Sequence, residues 1–168
     1  MVKIFVAVLI ALSLGVPAFA QDDDYARVQT TIGYASLALD NGDGTTGHHS
    51  GLAMFNALNL TRWLGLENFT GIWGVGDGTT LLSNIVGGKL MARRDRAVPY
   101  VVAGLGAGYA SSGSSYSGTM LSARLGGGID VPLSDSLSFK FDVSRVSLRS
   151  GGWFSNWNFV TGVTFNVN

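Results

Sequence analysis

From Ala26 onward, apolar and polar residues alternate with a period of two rather than the 3.6 of an amphipathic helix. The longest run is Gly118 to Leu133. Thr119, Leu121, Ala123, Leu125, Gly127, Ile129, Val131 and Leu133 form one face; Gly118, Met120, Ser122, Arg124, Gly126, Gly128 and Asp130 form the other. Trp153 to Val167 repeats the pattern, with Trp153, Trp157, Phe159, Val163, Phe165 and Val167 opposite Asn156, Asn158, Gly162, Thr164 and Asn166. Leu137, Phe139, Phe141 and Val143 alternate with Ser138, Lys140, Asp142 and Ser144. In Pro99 to Tyr109 the apolar face is Val101, Ala103, Leu105, Ala107 and Tyr109, with Gly104, Gly106 and Gly108 opposite. Ala26, Val28, Thr30, Ile32 and Tyr34 alternate with Arg27, Gln29, Thr31 and Gly33. Leu52 to Arg62, Leu66 to Gly74 and Leu81 to Arg93 are also strand-like, but either face could be the apolar one, so their facing stays open. These segments make eight strands, an even number.

The connections alternate as well. Asp40 to His49, Val75 to Thr80, Ala110 to Ser117 and Arg149 to Gly152 are loops rich in Gly, Ser, Asp and Asn, whereas Trp63 to Gly65, Arg94 to Val98 and Val131 to Ser136 are shorter turns. Short turns on one side and longer loops on the other predict an all-β, eight-stranded antiparallel up-and-down transmembrane β-barrel, with both termini on the short-turn side.

Which face is buried decides between a lipocalin-like soluble barrel, apolar within, and a membrane barrel, apolar without. The apolar face carries Trp153, Trp157, Phe139, Phe141, Phe159 and Phe165, too much volume for a lumen that eight strands narrow to side-chain width. The opposite face carries glycines, Arg124, Asp130, Lys140 and Asp142, an unusual surface for a solvated sheet. The membrane barrel is the better account. It places Tyr109, Trp153 and Trp157 in one aromatic belt near the long loops, and Trp63, Phe139 and Phe165 in a second near the short turns.

Composition then removes other classes. Eleven basic and eleven acidic residues leave no net charge, so the basic footprint of a nucleic-acid binder is missing. Charged residues make up 13%, about half of the usual roughly 25%, and mean hydropathy is +0.29, which excludes disorder. There is no cysteine, so neither disulfides nor a thiolate metal site is available.

Residues 1–20 read as a cleaved signal peptide: Lys3 as a short positive region, an apolar run from Ile4 to Leu14, Gly15 and Pro17, and Ala18-Phe19-Ala20 before Gln21. The apolar run is too short for a spanning helix, which needs about 20 residues. The barrel domain is then residues 21–168.

Charges on the inward face must pair or meet a penalty of several kcal/mol each. Arg124, Asp130, Lys140 and Asp142, with Arg27, Glu67 and Lys89 elsewhere around the wall, are therefore expected to form a salt-bridge network across the lumen. Gly104, Gly106, Gly108, Gly126 and Gly128 thin the wall and leave room for those long side chains. A polar plug is the structural expectation, and a narrow porin-like channel for ions or small solutes is the alternative.

At this point the chain resembles the small Gram-negative outer-membrane β-barrel domain. The resemblance rests on the leader, Asn59-Leu60-Thr61-Arg62-Trp63-Leu64-Gly65-Leu66-Glu67, and Val98-Pro99-Tyr100 through Gly108. It rests also on Gly126-Gly127-Gly128-Ile129-Asp130, then Leu133-Ser134-Asp135 and Phe139-Lys140-Phe141-Asp142. It implies an eight-stranded barrel in the cell outer membrane and no single activity. Its implied surroundings are outer-membrane lipid and lipopolysaccharide, its partner in biogenesis is the barrel-assembly machinery, and its state is a monomer. Gly162, Phe165 and Val167 have the spacing of the family's C-terminal assembly signal, although Asn168 stands where an aromatic is usual.

Candidate chemistry is scarce. Some small outer-membrane barrels are lipid A deacylases with a His-x-Ser pair, and His48-His49-Ser50 has that spacing at the first long loop. A serine nucleophile needs an oriented base, which two adjacent loop histidines do not supply. Neither catalysis nor a metal or cofactor is expected. Asp40-Asn41-Gly42-Asp43-Gly44 lacks calcium-loop spacing and a distal Glu, so it reads as a turn. Gly104-Leu105-Gly106-Ala107-Gly108 lies in a strand with no helix after it, which excludes a phosphate loop. Arg93-Arg94-Asp95-Arg96 is expected to meet solvent or headgroups at a short turn.

Overall fold

A computed structural model describes residues 25–40, 45–76, 78–94, 96–112 and 116–167. The signal-peptide reading of residues 1–20, residues 41–44 of the Asp40–Gly44 turn and Asp95 of the basic turn lie outside the described residues.

Eight strands follow one another: β1 (Val28–Asp40), β2 (Thr46–Asn59), β3 (Leu64–Gly74), β4 (Thr79–Met91), β5 (Val98–Ser112), β6 (Tyr116–Ser134), β7 (Leu137–Ser150) and β8 (Gly152–Val167). Every strand pairs antiparallel with its chain neighbours, and β1 pairs with β8 to close the barrel. The two-residue period predicts this directly: alternating faces suit a single sheet with different media on its two sides. The strands run further into the long loops than the composition of those loops suggests. β1 and β2 pair as far as Asp40 and Thr46, and β7 turns into β8 through Gly151, whose φ of +75° is the left-handed conformation that glycine adopts at least cost.

Outward positions are the large apolar ones. Ile32, Leu52, Leu66, Val86, Leu105, Leu125, Phe141, Phe159 and Phe165 are all exposed on the outer surface. The open facing of β2 to β4 is now assigned: Ala53, Phe55, Glu67, Phe69, Trp73, Ile85 and Lys89 point inward. Pro132 lies where the β6–β7 register shifts, at the short-turn end, where a residue without an N–H interrupts the ladder least.

The lumen is layered. At the short-turn end Gln29, Asn59, Ser138 and Asn166 form a hydrogen-bonded floor: Asn59 Nδ2 donates to Gln29 Oε1 (3.2 Å), Gln29 Nε2 to Asn166 Oδ1 (2.9 Å), and Asn166 Nδ2 to Ser138 Oγ (3.0 Å). A charged layer follows. Above it, Leu37, Phe55, Phe69, Trp73, Ile85 and Val146 pack into an apolar core and are fully or almost fully buried. The Phe55 and Phe69 rings lie 5.1 Å apart, and Phe69 and Trp73 6.1 Å apart. At the long-loop end an open cavity of about 530 Å³ is lined by Leu39, Val75, Leu81, Met120, Leu148 and Trp153 among others.

The polar lumen expected from the sequence is therefore corrected in part: its long-loop half is mainly apolar, with Ser83, Ser122, Asn156 and Asn158 as buried polar exceptions. Glycine explains how that half holds such bulk. Trp73 lies against Gly51 and Gly71, and Leu148 against Gly108, so the large rings and branches occupy space that inward Cβ atoms would take. Of the five glycines expected to make room for charged side chains, Gly104 and Gly108 face Ile85 and Leu148, Gly126 faces Ser144 and Gly128 faces Tyr100, so the space goes to apolar, hydroxyl and aromatic groups.

Closure itself depends on a glycine pair. Gly33 and Gly162 are direct partners across the β1–β8 seam, and a Cβ on Gly162 would stand 2.8 Å from Gly33 Cα and 2.6 Å from Ile32 O. Both obstacles are backbone, which cannot swing aside. Gly162→Ala should therefore strain the seam by about 1–3 kcal/mol, in the range of overpacked sites. Urea unfolding in phosphatidylcholine vesicles measures this, and an unchanged midpoint would contradict it.

Candidate functional site

The charged layer is built from six side chains on four strands: Glu67 on β3, Lys89 on β4, Arg124 and Asp130 on β6, Lys140 and Asp142 on β7. Each occupies an inward position because strand alternation leaves only the lumen or lipid, and an unpaired charge facing lipid costs a few kcal/mol. Three acids meet three bases, so the layer is neutral.

Glu67 is the hub. Its Oε1 accepts from Arg124 Nη1 at 2.9 Å, and its Oε2 lies 3.3 Å from Lys89 Nζ and 3.9 Å from Lys140 Nζ. Arg124 crosses the barrel to reach Glu67 and also binds the neighbouring strand, with Nη2 2.6 Å from Asp142 Oδ2 and Nε donating to Ser144 Oγ at 3.2 Å. Asp130 takes both lysines: Lys89 Nζ donates to Oδ2 at 3.2 Å, and Lys140 Nζ lies 2.8 Å from Oδ1, an ion-pair distance without hydrogen-bond alignment. All six are nearly inaccessible to solvent. In such surroundings pair attraction is strong, and so is the penalty for an orphaned charge.

Aromatic rings complete the cage. Tyr100 donates from Oη to Asp142 Oδ2 at 2.7 Å, and its ring lies under both lysines, 4.1 Å from Lys89 Nζ and 4.2 Å from Lys140 Nζ. The Arg124 guanidinium lies 4.8 Å from the Phe69 ring and 5.1 Å from Phe55. These cation–π contacts join the charged layer to the apolar core above it.

Of the seven lumen charges expected from the sequence, six meet in this layer. Arg27 does not; it is half-buried just before β1, at the short-turn rim, where its carbonyl accepts from Asn59 N. It stands apart because the barrel's charged layer begins one step further in, above the Gln29–Asn59 floor. Tyr100, Ser144, Phe55 and Phe69 were not singled out in advance. Glu67 held the signal for Phe69, since residues two apart on a strand share a face.

The expected belt residues stand on the outer surface. Trp153 and Trp157 are exposed near the long loops and Trp63 and Phe165 near the short turns, with Tyr109 and Phe139 half-buried. Gly162, of the expected assembly signal, is at the closure seam, while Phe165 and Val167 face outward.

His48-His49-Ser50 lies in β2, not in a loop, paired with Ala38, Leu37 and Ser36 of β1. The ladder continues there because β1 is long enough to receive it. Ser50 Oγ shares a 2.7 Å hydrogen bond with Tyr34 Oη, and no hydrogen bond joins it to His48 among the described residues. No group of three or more potential metal ligands occurs among the described residues. At the short turns, Arg93 Nε donates to the Arg62 carbonyl at 3.0 Å and its guanidinium lies over the Tyr25 ring, so this part of the basic turn ties two turns together. Gly104 to Gly108 is inside β5.

A closed sheet with an apolar outer band, a filled lumen and paired internal charges defines a transmembrane up-and-down β-barrel. A family model described as the outer membrane protein beta-barrel domain matches residues 5–165, and the chain belongs to that family. Its place is the outer membrane of a Gram-negative cell. Among solved structures, Neisserial surface protein A is similar at 10% identity and a TM-score of 0.71, over 86% of this chain and 99% of that one. Ail, the attachment invasion locus protein of Yersinia pestis, is 16% identical with a TM-score of 0.60, over 84% and 98%. The N-terminal barrel domain of Pseudomonas aeruginosa OprF is 17% identical with a TM-score of 0.61, over 85% and 99%. At these identities the likeness is one of fold. No curated protein sequence matches.

Two substitutions test the site. Arg124→Met leaves Glu67 and Asp142 short of a partner and should destabilise the barrel by about 3–5 kcal/mol, the usual cost of breaking a buried pair from one side. Gly128→Ala places a Cβ against the Phe141 carbonyl oxygen and 2.6 Å from Tyr100 Oη, so it should strain the β6–β7 ladder and displace the ring from Asp142 and the two lysines, at about 1–3 kcal/mol. Urea unfolding in vesicles reads both losses. Tyrosine fluorescence does not isolate Tyr100 among five tyrosines, so the Gly128→Ala comparison is made in the presence and absence of Tyr100→Phe. The part of the loss that acts through the Tyr100 hydroxyl should be non-additive, and the part that acts through the Phe141 carbonyl should persist in the Tyr100→Phe background.

Proposed function

We propose that this protein is a non-conducting, non-catalytic outer-membrane barrel whose role is structural or surface-interacting, with its interactions made at the long-loop end. One observation carries the reading: the lumen holds three successive filled layers, the amide floor, the neutral charged cage and the apolar core. Leu37, Phe69, Trp73 and Val146 have no accessible surface in the last of these. A water column would have to cross packed rings and then pull apart ion pairs. The external end supports the rest of the reading. Its connections are short, spanning residues 41–45, 75–78, 113–115 and Gly151 between strand ends, and among them opens the apolar cavity beside Trp153. Such an end suits a small contact or an apolar group better than an extended adhesive surface. Ail, a protein of the same fold, is named for attachment, a surface role.

The purified protein in planar bilayers should give no steady conductance at neutral pH. Stepwise currents that saturate with salt would support the porin-like alternative and overturn the plug.

A further inference from the structure

The outer surface contains polar residues where lipid tails offer none a partner. Thr30, Asn56, Asn68, Thr70 and Asn84 share the outward parity of Ile32, Leu58, Leu66, Ile72 and Val86, all of them exposed on the apolar band. The register makes them one row across four strands: Thr30 opposes Asn56, Asn56 opposes Asn68, and Thr70 opposes Asn84. Asn84 Nδ2 donates to Thr70 Oγ1 at 2.7 Å, Asn68 Nδ2 to Asn84 Oδ1 at 3.3 Å, and Thr30 Oγ1 to Asn56 Oδ1 at 3.1 Å. The row lies deep in the band. Asn68 is five residues beyond Trp63, which at about 2.3 Å of height per tilted residue puts it about 12 Å from that interface, near the middle of a band about 25 Å tall.

Aromatic placement also differs around the barrel. Phe139, Phe141, Trp157, Phe159 and Phe165 project from β7 and β8, whereas the outward positions 52–58, 64–72 and 82–90 on β2, β3 and β4 hold no aromatic ring. The span without rings continues across the outward positions of β5 and β6 as far as Tyr109, and Trp63 anchors the β2–β3 turn, so within this broad aliphatic face it is the amides and hydroxyls that mark β2 to β4.

We propose that the face formed by β2, β3 and β4 is where two copies of this chain meet in the membrane, with the Asn56–Asn68–Asn84 row at the contact. Lipid supplies neither donor nor acceptor, so amides in a membrane-spanning surface favour association with other polar groups. An Asn amide both donates and accepts, and two copies related by a two-fold axis present the same row to each other. The row thus contains its own complement. Capacity remains for such bonds: the Asn56 NH₂ has no acceptor among the described residues, its Oδ1 alone being engaged, by Thr30. The resemblance implies a monomer, and energy transfer between labelled copies separates the two states.

The chain has no cysteine, so Val143→Cys introduces a sole thiol on the exposed outer face of β7, away from the contact. Copies of that variant labelled with donor or acceptor dyes, refolded together in phosphatidylcholine vesicles, should show energy transfer that exceeds random encounter and persists as lipid is diluted about tenfold. Adding Asn56→Leu with Asn68→Leu should weaken association by about tenfold or more, the value of a few interhelical-type hydrogen bonds in lipid. Phe141→Leu, on the opposite side, should leave it unchanged. Heat-modifiability on gels shows that each variant is folded. Transfer at the random level, transfer that survives the double leucine change, or equal loss with Phe141→Leu would each overturn the proposal.

Discussion

In the hydrocarbon of a bilayer no backbone N–H or C=O finds a partner in the solvent, so a sheet there must have no edge. The β1–β8 pairing meets that demand, and the rest of the structure follows from it. Eight strands are few for a closed barrel, and the lumen is as narrow as the side chains that fill it. Curvature this tight brings backbones together at the seam, where Gly33 faces Gly162 and neither has space for a methyl group.

A narrow closed lumen turns the charged residues into a packing problem as much as an electrostatic one. Six ionised groups are buried together, and each acid touches more than one cationic or hydroxyl partner. Neutrality of the layer matters more than any single pair, because a buried charge left over has no water to turn to. The rings of Tyr100, Phe55 and Phe69 serve as both wall and counter-charge, since their faces accept the lysines and Arg124. The charged cage and the apolar core are therefore one continuous plug, with cations resting against the aromatics of the layer above.

How far the sequence reveals this depends on whether the two faces of a strand meet different surroundings. On β6, β7 and β8, lipid lies outside and charged or amide groups lie inside, so Leu125 against Arg124 or Phe141 against Asp142 declares the facing at once. On β2 to β4 the surroundings are apolar on both sides near mid-barrel. Leu52, Ala53, Met54 and Phe55 then show no alternation, although Leu52 faces lipid and Phe55 the core. The ionised members on those strands, Glu67 and Lys89, were the usable markers, and carrying their parity along would have placed Phe69, Trp73 and Ile85 inside. The row of Asn56, Asn68 and Asn84 obscured that signal further, because polar residues at outward positions imitate an inward face. Spacing also misled at His48-His49-Ser50, where a polar run of loop-like composition continues a strand because its partner strand reaches that far.

By itself the sequence determined the strand count, the order of short turns and long loops, and which residues of β5 to β8 meet lipid, because each rests on local alternation over adjacent residues. The tertiary structure alone decided the rest. That Glu67 lies between Arg124 and Lys89, that Tyr100 sits beneath two lysines, and that the long-loop half of the lumen is mainly apolar all depend on the register and closure of strands far apart in the chain. Alternation tells each side chain which way to point. Only the closed barrel tells it what it meets there.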